Sequence, residues 1–461
     1  MSIRTKATLL AATLLALPML ASAADQPYAS TYRPVASGPV LIRNATVLTG
    51  DGQRLDGADV LMREGRIAAV GNGLDAGDAT VVDASGKWVT PGIIDVHSHL
   101  GVYPSPGAAA HSDGNEMTTP VTSQVWAEHA VWPQDPGFPA ALAGGVTSLM
   151  VLPGSGNLIG GRGVVLKNVP ATTMQQMKFP GAPHSVKMAC GENPKRYYGG
   201  RGQSPMTRMG NMAGYRAAFI EAQKYRAAWD KYEASQDSRG RGKSRDNGAE
   251  KPAQDLRLET LAGVMRGDIT VQIHCYRADE MALMMDLAKE FGFRIAAFHH
   301  GVEAYKLADE LAEQGICGAL WADWWGFKME AYDGIQENIA LVDRPKNSCA
   351  VVHSDSSEGI QRLNQEAAKV MVRGERVGLK LPPEHAIRWL TTNAARAIGI
   401  ADQTGLLAEG KMADVVVWNG NPFSVYAKAE RVYVDGALLY DRADPSRQPV
   451  TDFMLGQEVS P

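Results

Sequence analysis

Cysteine is scarce in this 461-residue chain, with only four, at positions 190, 275, 317 and 349. That excludes a small scaffold held together by a disulfide framework. Cys190 and Cys275 close short apolar runs and are expected as small buried residues, while a Cys317–Cys349 bridge stays open. A basic excess is also lacking: 46 Lys and Arg against 50 Asp and Glu give a net charge of −4, so no electrostatic footprint for nucleic acid exists. Beyond residue 23 no run approaches the ~20 apolar residues of a membrane span. The Gly-rich stretches 153–157 and 160–163 lack the Lys-Ser/Thr ending of a phosphate-binding loop, and are read as tight turns near a pocket rim.

What is present begins with a targeting pattern. Arg4 and Lys6 precede the apolar run 7–20, and Ala21-Ser22-Ala23 supplies small residues for cleavage. Residues 1–23 are therefore expected to be a secretory signal peptide, and the product an exported, periplasmic protein. Residues 24–90 and 400–461 share a texture of short strands with turns at Asp51-Gly52, Glu64-Gly65 and Asp435-Gly436. Neither piece closes a core alone, so the two are expected to form one composite β-sandwich.

Between them, eight short apolar runs read as buried strands: 92–99, 147–153, 163–168, 185–190, 269–275, 294–300, 317–324 and 349–355. Helical patterns such as 302–313 and 361–373 separate most of them. That count gives an α/β fold, a (β/α)8 TIM barrel over 91–399; a doubly wound open sheet is the alternative. An insertion at 195–257 holds a helical pattern over 206–234. The polar stretch 235–255 reads as a solvated loop, with a lid as the other reading.

The stretch that organises the chain is Pro91-Gly92-Ile93-Ile94-Asp95-Val96-His97-Ser98-His99. Residues two apart on a strand share a face, so His97 and His99 aim at one point, as two ligands of one ion would. Barrel sites sit at the C-terminal ends of strands, and there stand His274, His299, His300 and Asp355. Mixed imidazole and carboxylate ligands suit Zn2+, with Mn2+, Co2+ or Fe2+ as alternatives. His353, two before Asp355, is expected to pack one layer deeper. His111, His129, His184 and His385 are read as unrelated to the metal. Asp113-Gly114-Asn115-Glu116 is read as an exposed turn, with pocket lining as the alternative.

These pieces, with Ala143-Gly144-Gly145-Val146-Thr147 and Gly410-Lys411-Met412-Ala413-Asp414-Val415-Val416-Val417, resemble the metal-dependent amidohydrolase superfamily, in its exported imidazolonepropionase-like and peptidase-like branch. The resemblance implies a barrel with an attached sandwich and one or two divalent metals. His97, His99 and Asp355 match the first metal's ligands, and His274 and His300 the second's. His300 is preferred to His299 because Gly301-Val302-Glu303 follows it; His299 is expected to point to the opposite side. The resemblance makes Lys187, in 185–190, the candidate for a carboxylated bridging lysine, and Glu192 the alternative bridge. A lysine inside an apolar strand is costly unless paired, which points the same way.

The implied reaction is hydrolysis of an amide or peptide C–N bond in a small substrate by metal-activated hydroxide, with Asp355 as proton shuttle. A dipeptide or N-acyl amino acid is the expected substrate. Arg277 is a candidate clamp for a substrate carboxylate, with a solvated surface arginine as the other reading. A ring deaminase or a lactonase would use the same metal site, and a metal-free binding scaffold is the reading from another class. A homodimer is the default oligomer.

Overall fold

The computed structural model describes residues 28–105, 107–240, 249–324 and 326–449. The expected signal peptide and residues 241–248 of the polar loop lie outside the described residues. The chain first lays down β1 (Val40–Leu48), β2 (Arg54–Arg63), β3 (Arg66–Gly71), β4 (Thr80–Asp83) and β5 (Trp88–Pro91). Glu64 and Gly65 take φ of 50° and 75°, the left-handed pair that a two-residue hairpin between right-twisted strands requires.

Gly92 is the joint where the chain leaves this sheet for the barrel. A Cβ there would stand 2.0 Å from Thr147 Oγ1, so only glycine allows the approach. The barrel strands follow: β6 (Ile93–Ser98), β7 (Val146–Val151), β8 (Ile159–Lys167), β9 (His184–Ala189), β10 (Ile269–His274), β11 (Ile295–His299), β12 (Cys317–Leu320) and β13 (Ala350–Val352). They pair in the order β13-β12-β11-β10-β9-β8-β7-β6. Loop bonds close the seam between β13 and β6, with Asp355 N donating to the His97 carbonyl at 3.0 Å.

β8 runs antiparallel to both neighbours, unlike the other strands. The link 152–158 is too short for a parallel crossover, which takes about a dozen residues. β7 therefore returns as a hairpin, and a second reversal restores the direction of β9. Helices cover the later strands: Leu256–Arg266, Ala278–Phe291, Ala308–Gln314 and Leu363–Arg376. Asp255 caps the first by accepting from the backbone of Arg257 and Leu258.

β14 (Val415–Trp418), β15 (Ala429–Val434) and β16 (Ala437–Asp441) then return to the first sheet. The order β16-β15-β14-β5-β1-β2-β3, with β4 beside β1, joins both chain ends. This sheet encloses its own core, including Val47, Val60, Val89, Val415 and Tyr433. The molecule is a TIM-type barrel with a small sandwich.

Two expectations change here. The insertion helix runs Arg208–Gly240, past 234 and into the stretch read as loop. Tyr215, Phe219 and Ala222 are buried, and Phe219 stacks on Phe293 at 4.8 Å, so this helix is packed against the barrel wall. Cys190 and Cys275 are not separate apolar residues but a disulfide, as are Cys317 and Cys349. The ladder explains it: Ala189 lies opposite His274, so the next residues on each strand also face each other.

Candidate metal centre

Strand ends place the candidate ligands. His97 comes from β6 and His99 from one residue beyond it. His300 follows β11 with φ 66°, and Asp355 follows β13 with φ 51°. Left-handed backbone at residues other than glycine is uncommon and concentrates at functional sites. Here it turns both side chains into the barrel mouth.

The Asp355 carboxylate is the hub. Its Oδ1 lies 3.5 Å from His97 Nε2 and 3.1 Å from His99 Nε2, and its Oδ2 lies 3.7 Å from His300 Nε2. Two ligands each ~2.1 Å from one tetrahedral ion sit ~3.4 Å apart, so these spacings suit a shared cation. His97, His300 and His353 form a second group whose ring nitrogens fall within 4.8 Å of one another.

Electrostatics keep the fully buried rings of His97, His274, His300 and His353 neutral. Burial, then the Lys187 charge, holds His97 and His274 well below the usual imidazole range. Burial and the neighbouring His274 do the same for His300, and burial lowers His353 to about 3. Yet His97 Nε2, His300 Nδ1 and both nitrogens of His353 have no hydrogen-bond partner. Each such orphan costs about 1–3 kcal/mol unless something else satisfies it. Neutral imidazoles with free lone pairs beside a carboxylate are the donor set of a divalent metal, and the residues fit one. Burial pushes Asp355 up, but the hydrogen bond and charge of His99, with His353 and Lys187, outweigh it and hold its carboxyl below the ordinary range.

Lys187 is 1% exposed, and its Nζ donates to the Pro153 carbonyl at 3.0 Å. Burial lowers its pKa to about 8, against the opposing pull of Asp355. The His274 ring packs 4.7 Å from that of His300, while its Nε2 lies 3.3 Å from Asn193 Nδ2.

His299 does not point to the opposite side. Its Nδ1 lies 2.9 Å from His97 Nδ1, and its Nε2 meets Gln272 Oε1 at 2.8 Å. The left-handed turn at His300 breaks strand alternation, so both rings face inward and His299 supports His97 from below. Glu192 is not drawn into the histidine cluster. It opens the helix Glu192–Gly199, with Lys328 at 3.7 Å and Arg196 at 3.8 Å. Arg277 is forked on Asp279 by bonds of 2.9 and 2.8 Å, a local pairing two residues on rather than an open clamp.

His353 is closer to the centre than a packed supporting residue needs to be, with its ring stacked 5.3 Å from His97. Its position two before Asp355 was the only sequence signal for it. Asp113, Gly114 and Glu116 line a cavity of about 220 Å³ that also reaches Pro153. The remaining histidines sit elsewhere: His111 on Trp132, His129 and His184 on Trp126, and His385 on Asp343.

A solved amidohydrolase from Thermotoga maritima is 36% identical, with a TM-score of 0.78, over 87% of this chain and 100% of that one. The chain belongs to the metal-dependent amidohydrolase superfamily. The Amidohydrolase family profile matches residues 351–440 of this amidohydrolase, which include Asp355. Amidohydrolase tasK of Hapsidospora irregularis is 33% identical over 87% of the chain, which spans 43% of that relative's length. Imidazolonepropionase of Chromobacterium violaceum is 25% identical, over 79% of this chain and 86% of that one.

Proposed function

We propose that this amidohydrolase hydrolyses a C–N bond, amide or peptide, in a small substrate, and that it works with one or two divalent ions, zinc foremost. One observation carries the reading: three imidazole nitrogens lie 3.1–3.7 Å from a single carboxylate at the barrel mouth. His97, His99 and Asp355 would hold one ion, and His274 and His300 a second. When bound, such an ion supplies a Lewis acid and lowers the pKa of water to about 7.

The chain's own groups do the rest. Lys187, whose pKa burial lowers to about 8, would help hold the ions as a carbamate, its free amine adding CO2 with release of one proton. The hydrogen bond from His99 helps hold Asp355 ionised and its side chain is 23% exposed, so the oxygen that does not face His99 can accept the proton of the attacking water. It then returns that proton to the departing nitrogen. Export belongs to the same proposal, supported by two disulfides that a reducing cytosol would not maintain.

Elemental analysis of the purified protein should give one to two equivalents of divalent metal. Asp355→Asn should keep the fold and lower kcat by about 10²-fold or more on a panel of dipeptides and N-acyl amino acids. Unimpaired turnover in that variant would remove Asp355 from the proton path. Ammonia released without chain cleavage would replace the amide reading with a deaminase.

A further inference from the structure

A ladder of aromatic rings leads outward from the metal centre. Trp321, just after β12, stacks on His300 at 4.3 Å with planes 26° apart. Its Nε1 donates to the Ser354 carbonyl at 3.2 Å, which fixes the ring beside Asp355. Trp324 stacks on Trp321 at 4.9 Å. Phe327 lies 5.8 Å from Trp321 and 6.1 Å from Tyr276. Tyr276 in turn stacks 5.8 Å from His300.

The inner rings are buried and the outer ones are open. Trp321 is 8% and Tyr276 4% exposed, against 42% for Trp324 and 55% for Phe327. Lys328 Nζ sits 4.0 Å over the Tyr276 ring, so one face of that ring is already covered. The same ammonium lies 5.8 Å over the Phe327 ring, so among the described residues the open apolar surface is that of Trp324 and the uncovered part of Phe327, continuous through Trp321 with the imidazole of a candidate ligand. A flat apolar group stacked on Trp324 would be separated from the His300 imidazole by that ring and Trp321.

We propose that Trp321, Trp324, Phe327 and Tyr276 form a specificity subsite for an aromatic side chain of the substrate, outward of the candidate metal centre. The inference rests on the hydrolase reading and narrows it to dipeptides and N-acyl amino acids that carry an aromatic residue. Stacking and burial of one ring account for about a tenfold or greater preference over an alanine counterpart. The anchored inner rings hold the geometry, so the open rings need little reorganisation to receive a ligand.

Zinc-loaded protein in the Asp355→Asn background allows binding to be read without turnover. N-acetyl-L-phenylalanine and N-acetyl-L-alanine are titrated by calorimetry and by tryptophan fluorescence. The aromatic ligand should bind at least about tenfold more tightly and perturb the fluorescence. Trp324→Ala and Phe327→Ala, both at exposed positions, should each reduce that preference several-fold, and Trp324→Phe should restore most of it. Equal affinities, or a preference untouched by both substitutions, overturns the subsite. A preference that responds to them in a protein with intact Asp355 that cleaves neither compound, nor any other amide offered, leaves the subsite standing and overturns the hydrolase reading instead.

Discussion

Burial makes Lys187 a weaker base than an exposed lysine. An exposed lysine releases its proton near 10.5, whereas this one releases it near 8 because burial penalises the ammonium. Between those values the unfolded chain binds more protons than the folded one, so stability rises with pH across the window. The full difference corresponds to about 3 kcal/mol. Buried Tyr32 and Tyr276, whose hydroxyls are pushed upward mainly by burial, oppose it above about pH 10. In metal-stripped, carbonate-free protein, the urea midpoint should climb from pH 7.5 to 9.5. Lys187→Met should flatten that slope. A parallel rise in the variant would assign the pH dependence to other groups.

At the scale of elements, the ends of β9 and β10 are joined twice over. Cys190 N donates to the His274 carbonyl at 2.9 Å, and Cys190 is bonded to Cys275. The bridge spans 85 residues of sequence, including the whole insertion helix, and it sits immediately after His274. Replacing both cysteines by alanine should cost about 2–4 kcal/mol in denaturant unfolding under oxidising conditions. It should also weaken metal retention, because the end of β10 that carries His274 loses its tether. A variant as stable as the parent would show that the ladder alone holds those strand ends.

This bridge also marks where sequence stops being informative. The eight barrel strands were legible, as was the convergence of His97, His99, His300 and Asp355 at one mouth, because each rests on a local pattern: an apolar run ending in a ligand-type side chain. The Cys190–Cys275 pair was not, since pairing depends on which strands are neighbours and in what register. His299 was misplaced for a related reason. Alternation along a strand predicts opposite faces for residues 299 and 300, and a single left-handed residue cancels the rule. Arg277 was legible as a donor fork but not as one taken by Asp279, two residues away. The reversal of β8 was hidden in the length of one connection.

For the whole molecule, the question is what fastens the sandwich to the barrel. A second lysine in an apolar strand, Lys167 of β8, answers it. It is fully buried, and its Nζ lies 2.8 and 3.0 Å from the two oxygens of Asp414 and 3.0 Å from Asp435 Oδ1. Asp414 precedes β14 and Asp435 follows β15, so one ammonium ties the barrel to two of the three returning strands. Thr404 Oγ1 adds a bond to Asp414 at 2.7 Å, and the Tyr32 hydroxyl donates to Asp435. The Asp414 of the Gly410–Val417 motif thus has a structural task, joining barrel and sandwich.

Burial, then the Asp414 charge, already pushes the Asp435 carboxyl upward, with Lys167 pulling the other way. Lys167→Met would leave two buried carboxylates facing each other without their cation. Removing one partner of a buried ion pair costs about 3–5 kcal/mol, and the loss should be largest near neutral pH. A carboxyl whose folded-state pKa is raised binds its proton more readily folded than unfolded, so the variant should recover stability as pH falls toward 5. Denaturant unfolding of parent and variant at pH 5 and pH 7 measures both effects. A deficit that is the same at the two pH values would mean that lost packing, rather than uncompensated charge, is what the lysine prevents.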